Sequence, residues 1–224
     1  MVLISPSLLA ADFAELGEAL HLIKEAGASM VHVDVMDGHF VPDISVGQPV
    51  VRGLRKATNL ALDLHLLIER PERFVAEFAG MGVDRIAIHA EATPNLHRVL
   101  GAIRTGGAQA GLALNPCTAI ESASDALGEI DYLLILSADL GFTNSSFLPW
   151  IVSKVRTACT LRREKGLGFA IQVEGGIGPA QVEPLAQAGA DILVAGSDIF
   201  KRDPKARLAE VIRLAASSRQ VSRV

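Results

Sequence analysis

Apolar residues along this chain gather in short runs separated by amphipathic stretches. The runs LISP, MVHVD, LALDLHL, RIAIH, AGLAL, YLLIL, FAIQV and ILVA follow one another at near-regular intervals. A short run of this kind, bounded by turn residues, reads as a strand buried on both faces. Several runs close a recurring phrase: AGASMVHVDV, MGVDRIAIHA, GGAQAGLAL and AGADILVAG. In each, a glycine precedes a small or apolar residue and then the strand. Glycine just past a helix supplies the left-handed C′ position. The marker glycines Gly27, Gly82, Gly107 and Gly189 are 55, 25 and 82 residues apart, close to two, one and three units of 27–28 residues. One eighth of the 224 residues is 28, so an eight-fold βα repeat is the simple explanation.

That repeat predicts strands at Leu3–Pro6, Met30–Asp34, Leu60–Leu66, Arg85–His89, Ala110–Leu114, Tyr132–Leu136, Phe169–Val173 and Ile192–Ala195. Helices are expected at Phe13–Glu25, Gln48–Lys56, Pro71–Met81, Leu96–Arg104, Ala119–Leu127, Leu148–Lys165, Ala180–Ala188 and Pro204–Ala216. Asp12, Thr118 and Asp203 stand where N-caps belong, and Pro71 and Pro204 fit first helical turns. The tail from Ser217 (SSRQVSRV) reads as frayed, and no linker or composition shift divides the chain. The expectation is an α/β protein, a single-domain (β/α)8 TIM barrel over residues 1–224. A doubly wound open sheet would announce a glycine-rich turn after its first strand; SPSLLAADF stands there, without glycine.

Composition narrows the function classes. Hydrophobic residues make up 50% and charged residues 21%, which excludes a disordered chain. Lys and Arg number 21 against 25 Asp and Glu, a net charge of −4, whereas nucleic-acid binders carry a basic excess. Mean hydropathy is positive at +0.34, yet the longest uncharged run, Thr105–Ile120, contains Gly, Asn, Gln and Pro, so no membrane span is expected. The apolar N-terminus has no Lys or Arg before Lys24, and Asp12 and Glu15 interrupt it, unlike a secretory signal. The cysteines, Cys117 and Cys159, make no metal-type pair in sequence; a reduced, cytoplasmic compartment is the expectation.

In α/β barrels the chemistry lies at the C-terminal ends of the strands. The second predicted strand ends His32-Val33-Asp34, the third Asp63-Leu64-His65, the seventh Gln172-Val173-Glu174. Period-2 alternation puts His32 and Asp34 on one face. Around a barrel mouth His32, Asp34, His65 and Glu174 can converge, and two imidazoles with two carboxylates suit Zn²⁺, Mn²⁺ or Fe²⁺. A single histidine at a strand end is more often a satisfied polar residue, and His21 and His97 read as surface residues on helices. His39 and His89 can hydrogen-bond at the mouth without touching a metal. Gly175-Gly176 after strand seven and Gly196-Ser197 after strand eight offer backbone N–H groups to a phosphate, with no Lys or Arg needed.

Six phrases carry a resemblance: SPSLLAADF, HVDVMDGHFVPD, DLHLLI, HAEAT, LALNPCT and VAGSDIF. Through them the chain resembles ribulose-phosphate 3-epimerases over nearly its whole length. The resemblance implies a (β/α)8 barrel with one divalent metal ion (Zn, Mn, Fe or Co) held by His32, Asp34, His65 and Glu174. It implies that Asp34 and Glu174 are the acid–base pair of an epimerase, that Ser7 touches the substrate, and that Met36 lies above the metal. The partner is then a small phosphorylated ketose; a homo-oligomer is left open. The chain departs from the family in reading VEGGI, with Glu174, where VDGGI is usual, and Leu67 where Met is usual. After the sixth strand it reads Leu136-Ser137-Ala138-Asp139-Leu140-Gly141-Phe142-Thr143-Asn144-Ser145-Ser146-Phe147 in place of a pattern close to MTVNPGFGGQxF. Gly141, Asn144 and Ser145 are accordingly expected to close over the sugar, and the substrate class widens from pentulose to tetrulose and hexulose phosphates. Two other readings are a non-catalytic sugar-phosphate binder and a barrel decarboxylase or aldolase-type lyase. The lyase reading wants a DxKxxD phrase, which HVDVMD at strand two does not supply.

Overall fold

In a computed structural model of the chain, residues 2–139, 141, 146–201 and 203–218 are described. Eight parallel strands form one sheet: β1 (Leu3–Pro6), β2 (Met30–Met36), β3 (Ala61–Leu67), β4 (Arg85–His89), β5 (Gln109–Leu114), β6 (Tyr132–Leu136), β7 (Ala170–Glu174) and β8 (Ile192–Ala195). From β2 to β8 each strand pairs with its sequence neighbour, and β1 pairs with β8. An isolated parallel bridge from Ser7, just past β1, to His32 within β2 completes the (β/α)8 TIM barrel.

Alternation divides every strand between two layers. Val31, Val33 and Val35 of β2 and Leu62, Leu64 and Leu66 of β3 point outward into the main core under the helices. The inner face is filled by a smaller apolar cluster of Ala87, Ala113, Tyr132, Leu134 and Leu136 and by polar residues. Parallel register then sets the polar residues side by side: His32 opposite Asp63 and Asp34 opposite His65 between β2 and β3, and Asp63 opposite Arg85 between β3 and β4. Gly111 on β5 is an inward position that must lack a side chain. A Cβ there would lie 2.2 Å from the ring of Tyr132 on the next strand.

The α-helices are α1 (Leu16–Glu25), α2 (Gln48–Ala57), α3 (Val75–Ala79), α4 (Leu96–Thr105), α5 (Ile151–Glu164), α6 (Pro179–Ala188), α7 (Ser197–Phe200) and α8 (Pro204–Ser218). The marker glycines Gly27, Gly82, Gly107 and Gly189 all take positive φ, as the repeat required. Asp12 caps its turn by accepting from the Ala14 N–H, and Asp203 accepts from the Ala206 N–H.

Several expectations need correction. The segment expected as a helix at Ala119–Leu127 is two 3₁₀ turns, Ile120–Ala123 and Leu127–Glu129. Ser122 there turns its hydroxyl onto the Ala119 carbonyl, a local bond that competes with helix. Thr118 is no cap: its hydroxyl donates to Glu91. The helices expected to start at Phe13 and Pro71 open instead as 3₁₀ turns, and α5 starts three residues later than Leu148. The helix at Ser197–Phe200 was not anticipated. At the C-terminus α8 runs through Ser218, with the Ser217 and Ser218 hydroxyls on the Leu214 carbonyl; the rest of the expected tail lies outside the described residues. Among those described, no helix is long and apolar enough to cross a membrane.

Candidate metal and substrate site

The strand ends bring together four residues predicted from spacing. One ligand atom each of His32, Asp34, His65 and Glu174 lies within 4.8 Å of all the others. His32 Nε2 is 3.3 Å from Asp34 Oδ1 and 3.2 Å from Glu174 Oε2. His65 Nδ1 is 3.2 Å from Asp34 Oδ1 and 3.0 Å from Glu174 Oε2. A tetrahedral site with bonds of about 2.0–2.1 Å has edges of about 3.3 Å, so the four atoms fit one small divalent cation. Two further observations agree. His32 Nε2 and Glu174 Oε2 are buried yet neither makes a hydrogen bond. The set also places two carboxylates where almost no water reaches, Asp34 at 2% and Glu174 at 4% exposure, and such charges need a cation.

Burial disfavours charge on His32, but Glu174, Asp34 and Asp63 outweigh it and raise its pKa well above the ordinary value. His65 is likewise raised, with Glu174 and Asp34 outweighing burial. Burial alone would raise Asp34, yet His32 and His65 hold it far below the usual carboxylate range.

Each member is fixed from behind. The Ser7 hydroxyl donates to Asp34 Oδ2 at 2.8 Å, leaving Oδ1 to face the imidazoles. Ser137, which spacing did not single out, holds the backbone at Glu174: its N–H and hydroxyl both reach the Glu174 carbonyl, at 2.6 and 2.8 Å. His32 Nδ1 meets Asp63 Oδ2 at 2.7 Å, and Gln172 Nε2 donates to the same oxygen at 2.7 Å. His65 Nε2 meets His89 Nε2 at 2.9 Å, and His89 Nδ1 meets Glu91 Oε2 at 3.1 Å. Burial, countered by Glu91 and reinforced by the neighbouring His65, pushes the His89 pKa down to about 4. His89 thus hydrogen-bonds at the mouth, as expected, while the His39 ring meets the Asp37 carbonyl on an exposed turn. His21 and His97 are surface residues. Met36 is buried with Val41 and Leu67 in an apolar cluster against Phe40, whose ring packs on His89.

The glycine loops gather where expected. Gly175, Gly176, Gly196, Ser197, Ser7 and Glu174 share one cavity of about 170 Å³. Side chains at Gly175 and Gly176 are excluded by position: Cβ atoms would come within 2.8 Å of Ala138 and 2.6 Å of the Phe147 nitrogen. Gly141 is not in that cavity. It takes φ +77 against Val41 and Pro42 of the loop after β2. Asn144 and Ser145 lie outside the described residues.

Comparison with known proteins follows the same direction. The model of the family described as "Ribulose-phosphate 3 epimerase family" matches residues 3–200. The chain is 38% identical over 213 residues to the ribulose-phosphate 3-epimerase of Bacillus subtilis, covering 94% of this chain and 98% of that one. It is 43% identical over 201 residues to the ribulose-phosphate 3-epimerase of Synechocystis, covering 89% and 87%. Among solved structures, the orotidine 5'-phosphate decarboxylase of Pyrococcus horikoshii superimposes with a TM-score of 0.67 at 14% identity, covering 96% of this chain and 100% of that one. A tryptophan synthase α-subunit of Pyrococcus furiosus gives 0.67 at 15%, covering 96% and 97%. These two share the fold.

Proposed function

The chain belongs to the ribulose-phosphate 3-epimerase family, isomerases that act on carbohydrate phosphates, and from that premise we propose that it inverts C3 of a phosphorylated ketose by two-base proton transfer. The substrate is ribulose 5-phosphate and xylulose 5-phosphate or a related tetrulose or hexulose phosphate. The observation that carries this reading is the convergence of His32, Asp34, His65 and Glu174 beside a glycine-lined cavity.

A C–H next to a ketone is too weakly acidic for a free carboxylate. A divalent ion held by His32, Asp34, His65 and Glu174 would supply Lewis-acid polarisation of the ketone. Inversion then requires that one carboxylate take the C3 proton on one face while the other delivers a proton on the opposite face. Asp34 on β2 and Glu174 on β7 stand on separate sides of the mouth, with β1 and β8 between them. Their roles exchange with the epimer bound. Ser7, bonded to Asp34 and lining the cavity, orients the first carboxylate toward the sugar. Gly175, Gly176, Gly196 and Ser197 hold the phosphate through backbone N–H groups.

Four-, five- and six-carbon ketose phosphates incubated with the protein in deuterated water test this reading. Label at C3 of one of them is the expected result; no label in any, with metal bound, means a non-catalytic binder. If the glycine loops anchor phosphate, the matching unphosphorylated ketose loses more than about 10²-fold in kcat/KM, because remote binding energy is what aligns the reacting carbon. Equal rates for the two forms would remove the cradle from the mechanism. The longer carboxylate is a tuning element. Glu174→Asp withdraws the oxygen by about an ångström, which is expected to change the rate ratio between five-carbon and other ketose phosphates by about 10²-fold while the fold stays intact. An unchanged ratio would mean that side-chain length at this position does not set specificity.

A further inference from the structure

The two histidines of the cluster turn different ring nitrogens toward it, Nε2 of His32 and Nδ1 of His65. A metal ligand must be the unprotonated nitrogen, so each ring has to carry its proton on the far side. We propose that Asp63 and the His89–Glu91 pair are positioning residues that set these two opposite tautomers. The proposal rests on the metal reading above.

For His32 the device is direct. Asp63 Oδ2 lies 2.7 Å from Nδ1, and an ionised carboxylate only accepts, so Nδ1 carries the hydrogen and Nε2 is left with its lone pair. Asp63 is completely buried and is kept anionic by its own supports. Gln172 Nε2 donates to Oδ2 at 2.7 Å, and Arg85 Nη1 stands 3.5 Å from Oδ1. Arg85 is in turn held against the face of Tyr132, 3.8 Å from guanidinium carbon to ring centroid. The ring occupies the space that Gly111 leaves open. This layer sits inside the barrel and does not reach the cavity, so its polar groups are oriented for the histidine above.

For His65 the device is a relay whose polarity can be read from its far end. Glu91 accepts from the Asn115 N–H at 2.9 Å and from the Thr118 hydroxyl, which locks the carboxylate on the loops after β4 and β5. Its other oxygen is 3.1 Å from His89 Nδ1, so Nδ1 of His89 is the donor. Nε2 of a neutral His89 is then an acceptor. It lies 2.9 Å from His65 Nε2, a separation at which one nitrogen must donate and the other accept. His65 Nε2 therefore carries the hydrogen, and its Nδ1 is left with a lone pair for a cation that Asp34 and Glu174 would share. Reversing any link would aim an N–H at the cation.

The test uses the full-length protein with its histidine nitrogens isotopically labelled and Zn²⁺ added, read by long-range proton–nitrogen correlation. The expected pattern is Nδ1–H for His32 and His89 and Nε2–H for His65, with His32 Nε2 and His65 Nδ1 shifted by zinc. His89 found as the Nε2–H form overturns the relay. Chelator competition then measures zinc affinity in two disruptive variants and one rescue variant. Asp63→Asn and His89→Phe are each expected to weaken it by about 10–100-fold, and His89→Gln, whose amide oxygen still accepts from His65, is expected to recover most of the loss. Wild-type affinity in both variants, with zinc bound by the parent, overturns the positioning roles alone. A parent that takes up no zinc overturns the metal reading, and this inference with it. Should Asp63→Asn fail to fold, the tautomer pattern of the parent still decides.

Discussion

Asp34→Asn and Glu174→Gln are each expected to lower epimerisation by about 10²–10⁴-fold, the share a single positioned acid–base group contributes, with the barrel left folded. The amides keep the size and planarity of the carboxylates, so the packing around β2 and β7 is retained while the proton-transfer capacity is lost. Both side chains also face His32 and His65 at 3.0–3.3 Å, so turnover has to be compared at equal metal loading. A two-base mechanism makes a sharper demand than loss of rate. With one carboxylate left, the protein can still remove the C3 proton from one epimer and return it to the same face. One variant should therefore exchange hydrogen slowly from one epimer only, and the other variant from the opposite epimer. Full activity of Glu174→Gln would remove Glu174 from the chemistry.

How far the sequence carried these assignments depended on where polar residues sit in the strand period. His32 and Asp34, His65 and Glu174 were legible because they are polar residues in step with the strand period toward the mouth of the barrel, where barrels place chemistry. The residues behind them carried the same signal two positions earlier: Asp63 precedes His65, Gln172 precedes Glu174, and Arg85 precedes His89 by two such steps, all on inward faces. They went unassigned because a buried charge in mid-strand has meaning only once its partners on neighbouring strands are known, and Asp63, Arg85 and Tyr132 come from three strands. Ser137 was invisible for a similar reason, since it acts on backbone carbonyls 37 and 38 residues away. The fifth crossover failed on local chemistry: its apolar spacing suited a helix, while its serines favoured turns. The positive-φ glycines that set the eight-fold count depend on nothing distant, and the barrel followed from them.

Stripping divalent ions from the protein with a strong chelator is expected to reduce turnover by at least about 10³-fold, since Lewis-acid polarisation contributes several kcal/mol at about 1.4 kcal/mol per tenfold in rate. Re-adding a divalent ion should restore it. The pKa shifts give the pH dependence a definite sign. In the metal-free protein His32 and His65 are raised by Glu174 and Asp34. Their charged pairs contribute stability that is fully present below the unfolded value of about 6.5 and is lost as pH rises through the raised folded values. The depressed pKa of Asp34 acts elsewhere, contributing stability above the unfolded carboxylate range that is lost only in acid. A cation needs both imidazoles neutral, so its uptake releases protons and its affinity falls as pH is lowered. The gain in Tm on adding Zn²⁺ should therefore grow from pH 6 to pH 8, and thermal melts of the metal-free and zinc-loaded protein across that range measure it. His65→Ala separates ligation from packing. As a ligand, its loss abolishes the zinc-induced gain at every pH. Were His65 only a buried polar residue, the variant would melt lower without metal yet still gain as much from zinc as the parent.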